Sequence, residues 1–134
     1  MKKGYKQLVD EASAEIKTYS VAEAQAKLTD PDVQFIDIRD VRELEREGMV
    51  PGAFHAPRGM IEFWIDPDSP YFKPVFGERK EFIFFCAAGW RSALTTKTVQ
   101  DMGLENVAHI DGGFSAWKAA GAPVTAKPAK SESK

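Results

Sequence analysis

Cysteine is almost absent from this sequence. Cys86 stands alone among 134 residues, which excludes an internal disulfide and any multi-cysteine metal site. Histidine is nearly as scarce: His55 and His109 fall in different segments without a ligand cluster, so they do not read as a metal pair. Long apolar runs are missing too. The longest are a handful of residues, such as Phe82-Ile83-Phe84-Phe85-Cys86, against the about 20 that a membrane-spanning helix needs. The N-terminal residues Met1-Lys2-Lys3-Gly4-Tyr5 lead into no apolar signal core, so a cytoplasmic location and no membrane partner are expected. Charge of one sign is lacking as well. The 18 basic and 20 acidic side chains are well mixed and sum to −2, which offers nothing to a nucleic acid.

What is present is an ordinary globular mix, 43% hydrophobic and 28% charged, of a length for one domain. Leu8, Val9, Ala12 and Ile16 recur at helical spacing with Tyr5 one turn before them, predicting a helical extension within residues 1–17. Lys17 to Tyr19 could form a short edge strand. Ser20-Val21-Ala22-Glu23 reads as a capping box opening a second helix, which Thr29-Asp30-Pro31 ends. Val33 to Ile38 has the length and composition of a strand, and Asp40 can cap a charged turn through Arg46. A brief strand is expected around Phe54 to Ala56. Residues 57–80, aromatic and broken by Pro67, Pro70, Pro74 and Gly77, read as a long loop with one helical turn that packs on the body. Phe82 to Phe85 is apolar on both faces, as a central parallel strand should be. A helix from about Arg91 to Met102 follows, capped by Gly103, then a strand from Val107 to Ile110 and a helix from Phe114 to Ala120. Alternating strands and helices predict an α/β domain over 18–124 with a mostly parallel sheet. Residues 125–134 lack apolar anchors and are expected to be disordered.

The chemistry gathers at Cys86. It ends the central strand, and ligands of open α/β sheets bind at that edge. A lone cysteine there is ordinarily a small buried hydrophobe. Its sequel, Ala87-Ala88-Gly89-Trp90-Arg91-Ser92, argues otherwise. Small residues let the backbone curl and turn successive N–H groups inward, as a nest for an anion. The helix start adds its positive end and Arg91 a full charge. A sulfur held there should react as its thiolate.

The loop Cys86-Ala87-Ala88-Gly89-Trp90-Arg91-Ser92 resembles the active-site loop of the rhodanese-like sulfurtransferases, of form C-x-x-G-x-R-S. Asp37-Ile38-Arg39 is similar to the family's Asp-x-Arg segment, Val50-Pro51-Gly52-Ala53 to its Ile-Pro-Gly-Ala turn, and Gly112-Gly113-Phe114-Ser115-Ala116-Trp117 to its closing helix. Four blocks in order, over about residues 18–124, make the resemblance specific. It implies a five-stranded rhodanese-like fold with helices on both faces. It also implies a cysteine that takes sulfane sulfur from a small anionic donor such as thiosulfate. The resulting persulfide would pass to cyanide or a thiol, including a thiol of a protein, with no metal or organic cofactor. The loop amides would hold the thiolate and the terminal sulfur, and Arg91 the donor.

Two departures bear on this. Met49 stands where the family's turn usually carries histidine, and the segment from Met60 to Phe76 is long enough to be expected as a wall of the pocket. Trp90 would narrow the mouth and leave Arg91 its only cation, so Arg58, after a strand ending on the same edge, is read as a candidate second charge. Asp37 and Arg39 are read as structural, and His109 as a strand residue on a partly exposed face. Two other functions stay open: a persulfide carrier for a protein partner, and a phosphatase or arsenate-handling enzyme on the related scaffold. Phosphatases of that scaffold are described with C-x5-R, whereas four residues separate Cys86 from Arg91 here. A smaller cup suits sulfur better than a phosphoryl group.

Overall fold

The structure, a computed structural model, describes residues 1–128. It contains helix α1 (Tyr5–Glu15), strand β1 (Lys17–Tyr19), α2 (Val21–Gln25), β2 (Val33–Asp37), α3 (Val41–Glu47), β3 (Phe54–His55), α4 (Ile61–Ile65), β4 (Glu81–Phe85), α5 (Trp90–Asp101), β5 (Val107–Ile110) and α6 (Gly113–Ala119). The five strands form one sheet in the order β1-β5-β4-β2-β3, every pairing parallel. Among the described residues no helix is long and apolar enough to cross a membrane.

Strand β4 lies in the middle and is buried along its whole length, as its unbroken apolar run requires. The side chains of Ile83 and Phe85 point to one face, where they pack with Tyr19, Phe35 and Trp117; those of Phe82, Phe84 and Cys86 point to the other, with Ile36, Ile61 and Val99. Thus α2 and α6 cover one face and α4 and α5 the second, with α1 lying on α5. The Ser20 capping box forms as expected, the hydroxyl accepting the Glu23 N–H while the Glu23 carboxylate accepts that of Ser20.

Residues 57–80 hold more helix than one turn. A 3-10 turn (Arg58–Met60) runs into α4, and a second (Pro74–Gly77) begins with proline where its missing N–H costs nothing. Ile61, Ile65 and Phe76 are buried, and Phe76 meets Phe54 and Phe82 ring to ring, so the segment does pack on the body. The chain stays paired as far as Thr125, which exchanges two backbone hydrogen bonds with Met49. The rest of the expected tail beyond Pro128 lies outside the described residues.

Candidate active site

Parallel strands all end on one edge, and there the segments after β2 and β5 meet the loop that begins at Cys86. The Cys86 side chain is 1% exposed. Its Sγ accepts the N–H of Gly89 at 3.2 Å and that of Ser92 at 3.4 Å, and lies 3.6 Å from Ser92 Oγ. Gly89 makes the curl possible with φ +103°, a left-handed conformation that side chains resist, just before α5 begins. Among the described residues the N–H groups of Ala87 and Ala88 have no hydrogen-bonded acceptor. Those of Trp90 and Arg91 belong to the first turn of α5, where a helix supplies no partner.

The loop carbonyls are turned away from this cup and held. Phe114 N–H donates to Cys86 O at 2.7 Å and Ser115 N–H to Ala87 O at 3.0 Å. The first turn of α6 thereby fastens the loop from behind. Gly113 allows the approach: a Cβ there would sit 2.4 Å from Cys86 O, and its φ is +59°. The paired glycines therefore make room for the nucleophile's own backbone.

Arg91 is not a free cation. Its Nη1 and Nη2 donate to the two Glu43 carboxylate oxygens at 2.8 and 2.9 Å. Glu43 also accepts the Asp40 N–H, closing the capping box that opens α3. The Arg91 hydrogen bond holds the Glu43 carboxyl below the usual glutamate range. Arg91 is raised, chiefly by Glu43 and in smaller part by Cys86, which it faces. Asp40 is held at about 2 by the side chain and backbone N–H of Arg42.

Beside Ala87 a cavity of about 550 Å³ opens between α3 and α6, lined among others by Arg46, Glu47, Phe114, Ser115 and Lys118. Its walls are these helices, and the segment from Met60 to Phe76 supplies none of them, because that segment is spent covering Phe82 and Phe54. Arg39 closes the bottom. It is 1% exposed, grips Asp37 through Nε and Nη2, donates to Gly48 O at 2.8 Å, and stacks 4.1 Å over the Phe114 ring. Asp37 and Arg39 thus act as a structural clamp between β2 and α6. Arg46 and Lys118 line this cavity beside Ala87, whereas Arg91 is not among its lining residues.

The structure brings Cys86, Ala87, Ala88, Gly89, Arg91 and Ser92 into this one cup. It sets Trp90 to one side, 58% exposed, with its ring 5.2 Å from Tyr5 of α1. Arg58 is elsewhere: its guanidinium donates to Glu62 at 2.8 Å and lines a groove with Leu8, Leu94 and Lys97. His109 differs from its expected surface position. It is 4% exposed because α5 covers that face of β5, and its Nδ1 lies 3.0 Å from Ser92 Oγ. Burial lowers its pKa, against a smaller opposite pull from Asp111. The sequence reading missed Glu43 and His109 as neighbours of the loop. The spacing Asp40-x-x-Glu43 was a usable signal for the first; nothing local pointed to the second.

A family model for the rhodanese-like domain matches residues 20–120. The chain belongs to the rhodanese-like domain family. A protein of Bacillus subtilis (strain 168) named "Putative sulfurtransferase YtwF" is 32% identical over 78% of this chain and 92% of its own. A solved structure from Rhodopseudomonas palustris CGA009, of a protein of unknown function described as a possible tyrosine phosphatase, is 55% identical. It superposes with a TM-score of 0.90, covering 92% of this chain and 96% of its own. The homodimeric polysulfide-sulfur transferase of Wolinella succinogenes is 27% identical with a TM-score of 0.69, over 94% and 90% of the two chains. This rhodanese-like domain therefore shares sequence and fold with proteins named as sulfurtransferases.

Proposed function

We propose that this rhodanese-like domain is a sulfurtransferase in which Cys86 carries sulfane sulfur as a persulfide. The observation that carries the reading is the cup itself. Sγ sits at its floor accepting two backbone N–H groups, while the N–H groups of Ala87 and Ala88 have no acceptor among the described residues. Such a cup stabilises a thiolate and has donors left for one more anionic sulfur atom. In the first step the thiolate attacks the outer sulfur of a donor such as thiosulfate. The new S–S bond forms as the donor's breaks, and sulfite leaves with the bonding electrons. In the second, cyanide or a thiol, free or on a protein partner, attacks the terminal sulfur and Cys86 departs as thiolate. No net proton or electron is consumed. The reading includes a cytoplasmic setting, where acceptor thiols are kept reduced.

A phosphatase reading has one observation behind it, the description attached to the Rhodopseudomonas palustris protein. Against it stand the short loop and the two Glu43 oxygens already occupying Arg91, a residue a phosphoryl dianion would need. The deciding experiment is intact mass after thiosulfate and desalting, for the wild type and Cys86→Ser, followed by cyanide. Gain of one sulfur atom by the wild type alone, removed by cyanide, is the expected result. No gain from thiosulfate or from polysulfide, together with hydrolysis of an aryl phosphate, would replace this reading with the phosphatase one. Stoichiometric loading with poor turnover on cyanide would instead mark a carrier.

A further inference from the structure

The sulfur-transfer steps above leave His109 unused, although it is the one buried imidazole within two hydrogen bonds of the nucleophile. Cys86 Sγ lies 3.6 Å from Ser92 Oγ, and Ser92 Oγ lies 3.0 Å from His109 Nδ1. We propose that His109 is a positioning residue for Cys86, acting through the Ser92 hydroxyl as a proton path from the nucleophile to the Nε2 edge of the imidazole. This rests on the sulfurtransferase reading only for its purpose; the path itself is a property of the unloaded protein.

The argument is one of hydrogen-bond direction. A serine hydroxyl has one proton to give and two lone pairs. Ser92 Oγ has three neighbours that could take that proton: His109 Nδ1, Cys86 Sγ and Gly89 O at 3.3 Å. With Cys86 as a thiol, S–H donates to Oγ, Oγ–H donates to Nδ1, and the imidazole keeps its proton on Nε2. Ionisation moves both protons one place. The S–H bond breaks as a new Oγ–H bond forms, and the old Oγ–H bond breaks as Nδ1–H forms. The imidazolium so made releases its Nε2 proton to water. The result is a thiolate, a neutral imidazole bearing its proton on Nδ1, and a Ser92 hydroxyl turned to point at sulfur. Nothing is oxidised, and water takes the proton.

Two further observations fit this. Every fully buried side-chain nitrogen or oxygen among the described residues has a partner. Nε2 has none, so it is not fully buried and keeps some contact with solvent. The ring's surroundings also favour a neutral imidazole at rest. Its register neighbours on β1 and β4 are Thr18 and Phe84, α5 presents Ser92, and the charge acting on the ring is that of Asp111. A neutral ring can exchange one tautomer for the other, as a relay must.

The test reads the thiol without any sulfur donor. Alkylation of Cys86 by iodoacetamide, a neutral reagent, is followed against pH for the wild type, His109→Asn, Ser92→Ala and the double variant. Asparagine can keep the hydrogen bond to Ser92 and cannot pass a proton on. The expected result is alkylation about tenfold slower near neutrality in His109→Asn, converging on the wild-type rate in alkali, with the double variant no slower than Ser92→Ala alone. A wild-type profile in His109→Asn, or effects that multiply in the double variant, would overturn the path. Should the buried substitution fail to fold, ¹⁵N spectra of the His109 ring in the wild type decide. The proton should move from Nε2 to Nδ1 as Cys86 ionises, and an unchanged tautomer overturns the proposal. A wild type that takes up sulfur while these readouts stay flat fails the path alone. One that takes up none while they respond fails the transferase reading alone.

Discussion

The two ends of strand β4 each bury an ionisable side chain, and they treat it in opposite ways. At the start of the strand Glu81 is 6% exposed; its carboxylate takes the Tyr19 hydroxyl, the Lys27 ammonium at 3.1 Å and that of Lys17 at 3.7 Å. At the far end Cys86 is 1% exposed and meets no ammonium; backbone N–H groups and one hydroxyl hold it, and the guanidinium that faces it, Arg91, is already engaged by Glu43. Side-chain counterions close the first site, because they occupy the lone pairs and fill the space. Backbone donors leave the second one open, because they are fixed by the fold and outnumber the atom they serve. Burial of a titratable group therefore does not mark a site by itself; the kind of partner does.

The largest effect follows from exchanging the two. Cys86→Ser should abolish sulfur uptake and change stability by about 1 kcal/mol or less. Glu81→Ala should leave uptake intact and cost about 2 kcal/mol, less than a fully buried pair because both lysines reach solvent. Intact mass and urea denaturation of the two variants check this. A Glu81→Ala protein that folds with wild-type stability, or that loads no sulfur, would erase the distinction.

Next in size is the support behind the open end. Gly113→Ala pushes a methyl group to 2.4 Å from Cys86 O at a φ of +59°. Since that oxygen is backbone, the loop or α6 must shift. A loss of about 2 to 4 kcal/mol is expected, with sulfur uptake falling further than the folded fraction does. Gly103→Ala is the control, for its φ of +105° carries the same backbone strain in open space. Equal loss of uptake per unit of stability in both variants would mean that Gly113 is a strain position and nothing more.

This contrast also explains what could be read beforehand. The elements of the fold were legible because period and punctuation are local: the apolar run of β4, the Ser20 box and Gly103 each declare themselves within a few residues. The loop from Cys86 to Ser92 was legible for the same reason. What faces it was not. Glu43 reaches Arg91 across 48 positions of chain and His109 reaches Ser92 across 17, and whether a strand residue is covered depends on which helix lands there. Arg58 shows the converse. Its strand ends at the right edge, but Glu62, four residues on, takes its guanidinium, a local pairing that wins over the distant mouth.

The smallest effect concerns the charge that guards the open end. Glu43 neutralises Arg91 in a site expected to take an anionic donor, so it should tune which donors enter. Glu43→Gln keeps the shape and frees the guanidinium charge. The KM for dianionic thiosulfate should fall a fewfold while that for an uncharged organic trisulfide donor changes less, and an unchanged ratio would remove Glu43 from substrate choice. Acid should do to the carboxylate what glutamine does. Because the folded-state pKa of Glu43 is depressed by Arg91, its contribution is complete above the ordinary glutamate range. It is lost as pH falls through the lowered value. Arg91 is 41% and Glu43 19% exposed along the side chain, so solvent screens the pair and about 0.5 to 1 kcal/mol is at stake. The stability gap between wild type and Glu43→Gln in urea should therefore stand at neutral pH and close on acidification. A gap that persists in acid would mean that the capping role toward Asp40, which glutamine also fills, had been misjudged, and that Glu43 serves the helix rather than the loop.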